Sequence, residues 1–180
     1  MRVLKFKSAG VNLNTVDEQG QSLLHVVTDI VIADYLIKNG AALNTRDKKG
    51  NTPLHSAVNK NNLVLTKRFL EENTIQIDWV NKLGNTALHI ASQKKFEVSP
   101  KKLNDYWLAD VKRKRFDNLE IIKSLSKKGA NPNKINKQGY RPLHLAVICC
   151  DSPSINKNLI DYLHIRNQVF LLCKNGANPY

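Results

Sequence analysis

The chain has 180 residues, of which 28 are lysine or arginine and 15 are aspartate or glutamate, so its formal net charge is +13. Hydrophobic residues make up 42% and charged residues 24%, a balance that excludes a disordered charged tail and predicts a folded chain. No stretch reaches the roughly 18 consecutive apolar residues of a transmembrane helix. Lysines interrupt the apolar residues near the start, which excludes a signal peptide. We therefore expect a cytoplasmic protein.

The cysteines predict neither a disulfide framework nor a zinc site. There are 3 of them, an odd number, and the two adjacent ones lack the paired spacing of metal ligands: Cys149, Cys150 and Cys173. We therefore expect reduced thiols that are buried as small apolar side chains, without a bound metal.

Two short phrases recur along the chain. The histidine phrase runs from a glycine to Leu-His and begins at Gly20, Gly50, Gly84 and Gly139. The glycine-alanine phrase, Gly-Ala-x-x-Asn or close to it, begins at Gly10, Gly40, Gly129 and Gly176. In three cases the histidine phrase follows the glycine-alanine phrase by 10 residues. The sequence is therefore built from repeated units.

Each phrase marks one end of a helix. Thr52 is placed as an N-cap and Pro53 as the first helical residue, where a missing amide has no cost. Leu54 begins an apolar stripe at helical spacing. Gly40 follows another apolar run, at the position where a left-handed residue closes a helix. Each unit is therefore predicted to be helix, turn, helix and loop.

These residues and their spacing resemble the ankyrin repeat. The resemblance implies an all-α solenoid of stacked helix pairs with β-hairpin-like loops, and it implies structural histidines that bond the capping hydroxyl and neighbouring backbone. It divides the chain into a partial unit at 1–14 and units at approximately 15–44, 45–78, 79–133 and 134–180. Asn73 stands where the family has a closing glycine, which predicts a distorted hairpin before Thr86.

The third and fourth units are longer than the others, with extra helices predicted in insertions at approximately 95–116 and 150–164. In the first insertion, Ser99-Pro100 and an apolar stripe predict a separate helix over 100–113. Asp117 resembles a capping-box start for the second helix of that unit. Because the two units are neighbours, we expect the insertions to touch.

Charge is concentrated in the first insertion, where residues 94–115 include eight basic and three acidic side chains. A solvated helix end, a patch for acidic groups and a nuclear-import or nucleic-acid signal are the alternatives for this run. The basic residues of interest are Lys101, Lys102, Lys112, Arg113, Lys114 and Arg115.

The sequence lacks the motifs of a hydrolase triad, a P-loop or a metalloprotease, so we predict no enzymatic activity, no cofactor and no small-molecule substrate. The resemblance implies a protein-interaction scaffold that binds through hairpin tips and first-helix faces. Six of those sixteen positions are lysine and one is acidic, which favours an acidic partner. The alternative is a nucleic-acid or anionic-membrane binder that uses the basic insertion. The sixteen positions are Glu18, Gln19, Gln21, Lys48, Lys49, Asn51, Asn59, Lys60, Lys82, Leu83, Asn85, Gln93, Lys94, Lys137, Gln138 and Tyr140.

The abundance of Asn, Lys and Ile indicates an AT-rich genome. Degenerate ankyrin arrays with insertions resemble those in effectors of intracellular bacteria and in large DNA viruses. A host protein, in the host cytoplasm or nucleus, is therefore one hypothesis for the partner.

Overall fold

The computed structural model describes residues 12–94, 105–148 and 159–178, which form eight helices and one isolated β-bridge. The helices pair in chain order, two to a unit, and confirm the expected all-α solenoid. Within the described ranges, no helix has the length and apolar character needed to span a membrane. The helices are α1 (Leu23–Val26), α2 (Ile30–Lys38), α3 (Pro53–Asn59), α4 (Leu63–Glu71), α5 (Ala87–Ser92), α6 (Asp105–Lys127), α7 (Pro142–Ile148) and α8 (Leu159–Lys174).

The helices lie in two layers. The first helices of the units, α1, α3, α5 and α7, contact one another in sequence, and so do the second helices α2, α4, α6 and α8. Apolar side chains between the layers are fully buried, among them Leu54, Phe69, Leu88 and Ile121. Since each unit has only two helices, this core exists only because the units stack.

The first helices begin where the sequence predicts, because side chains satisfy the free amides of the first turn. In α3, the Thr52 hydroxyl accepts a hydrogen bond from the amide of His55 at 3.5 Å. The Thr52 amide in turn donates to Nδ1 of His55 at 3.2 Å. The same reciprocal pair joins Thr86 and His89 at the start of α5.

The second helix of the third unit corrects the sequence prediction. A helix over 100–113 and a new start at Asp117 were expected, but Asp105–Lys127 is one continuous helix. No glycine or proline occurs between 105 and 127 to end it, so a capping residue inside the run has no free amides to satisfy. The extra residues therefore lengthen a second helix, as they also do in α8. Residues 100–104 of the predicted helix lie outside the described ranges.

The hairpin between α4 and α5 is regular, although Asn73 predicts a distorted one. The amide of Asn81 donates to the carbonyl of Asn85 at 2.9 Å, and the amide of Gly84 donates to the carbonyl of Asn81 at 2.9 Å. The hairpin before α3 has the same two bonds at 2.9 and 2.8 Å. The missing glycine thus changes the end of α4 and leaves the next hairpin intact.

Cys173 is exposed on α8, which corrects the expectation that it is buried. Its position on the outer face of the last helix explains the difference, because no later helix within the described residues covers it. Cys149 and Cys150 lie outside the described ranges.

Candidate partner-binding groove

The hairpins are joined to one another by backbone hydrogen bonds. The amide of Lys48 donates to the carbonyl of Gln19 at 2.8 Å, and that of Lys82 donates to Lys49 at 2.9 Å. The next junction has the equivalent bond from Lys137 to Leu83 at 3.0 Å. Because every tip is held by its neighbour, the tips form one ordered row instead of independent loops.

The phrase histidines join each unit to the next. Nε2 of His25 lies 2.9 Å from the carbonyl oxygen of Asn51, and Nε2 of His55 lies 3.1 Å from that of Asn85. His89 repeats the contact with the carbonyl of Tyr140 at 3.1 Å. Nδ1 of each ring accepts from a backbone amide, so Nε2 must carry the proton and donate. The structural role that the resemblance implies for these three side chains is therefore confirmed.

Burial keeps these imidazoles neutral. Desolvation lowers the pKa of His55 to about 4 and also lowers the pKa of His25 and His89. Hydrogen bonds to the neighbouring carbonyls oppose this shift but are smaller. Among the described residues, no group of three or more His, Cys, Asp or Glu side chains is placed to hold a metal ion.

A groove of about 620 Å³ lies between the row of hairpin tips and the first helices. His25, His55, Ser56 and Ile90 are among the residues that line it. Eleven of the sixteen positions proposed from the sequence line it. They are Gln19, Gln21, Lys48, Lys49, Asn51, Asn59, Lys60, Lys82, Leu83, Asn85 and Gln93. The structure thus brings most of these residues onto one concave surface.

The accessible charge of the groove is positive. Lys48, Lys49 and Lys82 are exposed at its rim. Asp47 is the acidic residue among the lining side chains, and it is buried. Its Oδ1 accepts from the amides of Lys49 at 2.8 Å and Asn51 at 2.7 Å. Its charge is therefore committed to the turn, and a partner would meet the lysines.

Two lysines proposed as partner contacts instead join consecutive units. Nζ of Lys60 donates to the carbonyl oxygens of His25 at 3.0 Å and Val26 at 2.9 Å, at the end of α1. Nζ of Lys94 donates to the carbonyl of Asn59 at the end of α3. Burial lowers the pKa of both lysines. Their position five residues after the phrase histidine was the signal that sequence reasoning missed.

Asn85 also has a structural role, because it is only 5% exposed. Its Oδ1 accepts from Nδ2 of Asn136 in the next hairpin at 2.7 Å. Asn51 makes the equivalent contact with Asn81 at 3.0 Å. These amides fix the spacing of the hairpins and are less available to a partner than the lysines at the rim.

The remaining proposed positions lie elsewhere in the row of hairpins. Glu18 is exposed in the first hairpin, while Lys137, Gln138 and Tyr140 are exposed in the last. The ring of Tyr140 is tilted by 51° against the ring of His144, with centroids 6.4 Å apart. These residues extend the row at its two ends and do not line the groove.

The basic insertion presents fewer free cations than its sequence suggests. Lys112, Arg113 and Lys114 are exposed on α6, but Asp110 pairs with Lys114 at 2.6 Å and with Arg113 at 3.1 Å. The hydrogen bond from Lys114 is the main reason why the pKa of Asp110 is lowered.

Arg115 is only 5% exposed, which corrects its assignment to an exposed basic run. It shares a helical stripe with Val111, Asn118 and Ile122, all of them buried. Burial, followed by the positive charge of Arg115, lowers the pKa of His164 on α8 to about 4. α6 and α8, the helices that the two insertions lengthen, pack against each other. Lys101 and Lys102 lie outside the described ranges.

Comparisons with known proteins agree with this architecture. A family model for ankyrin repeats in three copies matches residues 24–100, and one for ankyrin repeats in many copies matches residues 109–164. The chain is also similar to human transient receptor potential cation channel subfamily A member 1, with 31% identity over 137 residues. That alignment covers 74% of the chain and 10% of the channel protein, so the chain spans about a tenth of that relative's length.

Proposed function

This chain belongs to the ankyrin-repeat family, and we propose that it binds an acidic segment of another protein in its concave groove. Ankyrin repeats are generally protein-interaction modules, and domains built from them are typically non-catalytic scaffolds. Membership therefore supports a binding function, while the chemistry of the partner is inferred from the groove itself.

The observation that carries this proposal is the exposed charge at the rim of the groove. Lys48, Lys49 and Lys82 project from neighbouring hairpins whose backbones are held in register. Because the tips are already ordered, a partner meets a preformed row of cations and orders little of the loop backbone. Such a row attracts acidic side chains and accelerates their association.

An apolar contact accompanies these charges. Leu83 lies at the tip of the third hairpin, next to Lys82, and is 63% exposed. Large exposed apolar side chains beside charged ones are typical of protein contacts. We therefore propose that the bound segment has acidic residues and an apolar side chain that packs on Leu83.

The groove is preferred over the basic insertion as the main anion-binding surface. On α6, two of the three exposed cations already pair with Asp110, and Arg115 is buried. At the groove rim, no carboxylate among the described residues forms an ion pair with Lys48, Lys49 or Lys82. A nucleic acid or an anionic membrane would have to bind α6 against an existing carboxylate.

Selection from a displayed random-peptide library tests the proposal. A random library makes no assumption about whether the natural partner comes from a host or from the source organism. The selected peptides are then measured against the triple variant K48E/K49E/K82E by titration calorimetry. The matched control is K67E/K127E/K128E, which changes the net charge equally at exposed lysines of the second-helix layer.

We expect the selected peptides to be enriched in aspartate and glutamate and to bind more weakly as salt rises. The groove variant should lose at least about tenfold in affinity, or about 1.4 kcal/mol, while the control keeps most of it. Peptides without acidic enrichment would contradict the proposal. Equal affinity for the groove variant and the control would also contradict it.

A further inference from the structure

The hairpin tips carry different charges at equivalent positions. The tip of each hairpin is the pair of residues immediately before its glycine, and every tip residue is exposed. The second tip has two positive charges, the third and fourth have one each, and the first has one negative charge. The sign of the charge therefore reverses between the first hairpin and the second. The four tips are Glu18–Gln19, Lys48–Lys49, Lys82–Leu83 and Lys137–Gln138.

Glu18 is the accessible acidic residue of the first hairpin. The neighbouring Asp17 is bonded within its own turn, because its Oδ1 accepts from the amides of Gln19 and Gln21, each at 2.8 Å. Asp47 has the same role in the second hairpin. Among the described residues, no cation forms an ion pair with the Glu18 carboxylate. The negative charge that a partner meets at this tip is therefore that of Glu18.

Glu18 lies at the border of the groove. Its neighbour Gln19 lines the groove, and the carbonyl of Gln19 accepts from the amide of Lys48 at 2.8 Å. Glu18 and Lys48 occupy the same position in consecutive hairpins, both exposed. A segment that follows the row of tips therefore meets a negative charge directly beside the positive ones.

We propose that the groove selects an acidic segment flanked by a basic residue, an inference that rests on the proposed function. The acidic side chains lie over Lys48, Lys49 and Lys82, while the basic side chain pairs with Glu18. A segment that is acidic throughout would place a like charge on Glu18 as it passes the first hairpin, which weakens its binding. Glu18 thus supplies specificity, whereas the lysines supply attraction.

The same charges fix the direction of the segment along the row. The basic residue lies at the first hairpin, the acidic residues lie at the second and third, and the apolar residue packs on Leu83 at the third. The reverse direction would put the basic residue beside Lys82 and the apolar residue beside Glu18. Both of these contacts are unfavourable, so one order of the three groups is selected.

Parallel selections from one displayed random-peptide library test this inference. They use the intact wild-type chain, Glu18→Lys and Glu18→Gln. The matched control is Glu71→Lys, which makes the same change of charge at a side chain of α4 that is 70% exposed. Peptides selected on the wild type and on E71K should be acidic with a lysine or arginine at one end of the acidic cluster. On E18K an acidic residue should replace that base, and on E18Q the position should show no preference.

Titration calorimetry then compares one wild-type-selected peptide with its variant in which the flanking base is glutamate. The wild type should prefer the basic peptide by about fivefold, and E18K should prefer the acidic one by a similar factor. If E18K fails to fold by circular dichroism, loss of the preference in E18Q is the test.

The outcomes separate this inference from the proposed function. Acidic peptides without a flanking base on the wild type overturn the inference and leave the proposed function standing. So do selections on E18K and E18Q that match those on the wild type, or a calorimetric preference that stays the same in all variants. Peptides without acidic enrichment overturn both.

Discussion

All four units have the histidine phrase. Within the described residues, however, its glycine and histidine contact a following unit only in the first three. His89 is buried and donates to the next unit, whereas His144 is partly exposed and has no such acceptor within the described residues. Even so, α7 forms, with Pro142 and Leu143 buried. The comparison teaches that the leucine of the phrase helps to build its own unit, while the glycine and the histidine join that unit to its successor.

Lowering the pH should have the largest effect on stability, through the histidines buried between units. The pKa of His55 is about 4 in the folded protein and 6.5 in a free side chain, so between these values the unfolded chain binds a proton that the folded protein does not. The contribution is fully present above pH 6.5 and is lost as the pH falls to about 4. His55 alone accounts for about 3 kcal/mol, and the lowered pKa values of His25 and His89 add to this loss.

Urea unfolding followed by circular dichroism across this pH range measures the effect. In His55→Gln, the free energy of unfolding should depend less steeply on pH than in the wild type, because one proton-linked site is removed. A wild-type free energy of unfolding that does not change over this range would show that the junction histidines are not held neutral.

The next largest effect is expected from the same substitution at Gly84 and at Gly139, which should lower the free energy of unfolding by different amounts. Gly84→Ala places a methyl group against the backbone of Lys137 and Asn136, at a φ of 79° that already disfavours a side chain. Gly139→Ala has the same φ penalty, at 81°, without a neighbour. We expect losses of about 3 kcal/mol for the first and about 1 kcal/mol for the second. Equal losses in urea unfolding would mean that the junction yields to the methyl group.

The equivalent valines give the smallest contrast. Val58→Ala removes methyl groups from a fully buried site and should cost about 2 kcal/mol. Val147→Ala acts at a half-exposed site and should cost about 0.5 kcal/mol, measured by the same unfolding experiment at micromolar concentration. If both variants lose equal stability, the fourth unit is covered in solution more fully than in the structure.

Much of the fold could be predicted from the sequence because its determinants are local. Thr52 and Pro53 specify the start of a helix within a few residues, and the spacing of the phrases fixes the order of the units. The rim lysines Lys48 and Lys49 could also be placed, because their distance from Gly50 assigns them to a hairpin tip.

Residues whose role depends on another unit could not be placed in this way. Lys60, Asn85 and Arg115 all look like surface side chains in sequence, but Lys60 and Asn85 form hydrogen bonds with another unit and Arg115 is buried. The prediction at Asp117 was wrong for the opposite reason. Its local pattern is that of a capping box, but α6 continues through it, so no helix starts there. The periodicity from Val111 to Asn118 did contain the signal that Arg115 faces inward.

The phrase histidines also give the solenoid a direction. At all three described junctions the imidazole N–H points toward the following unit, whereas the hairpin amide of the following unit points back, so unfolding a unit removes the acceptor of the histidine before it and of the hairpin amide after it. Truncation from the two ends is therefore not equivalent. Removing units from the C-terminal side exposes one orphaned histidine at each step, whereas removing them from the N-terminal side leaves every remaining histidine bond intact.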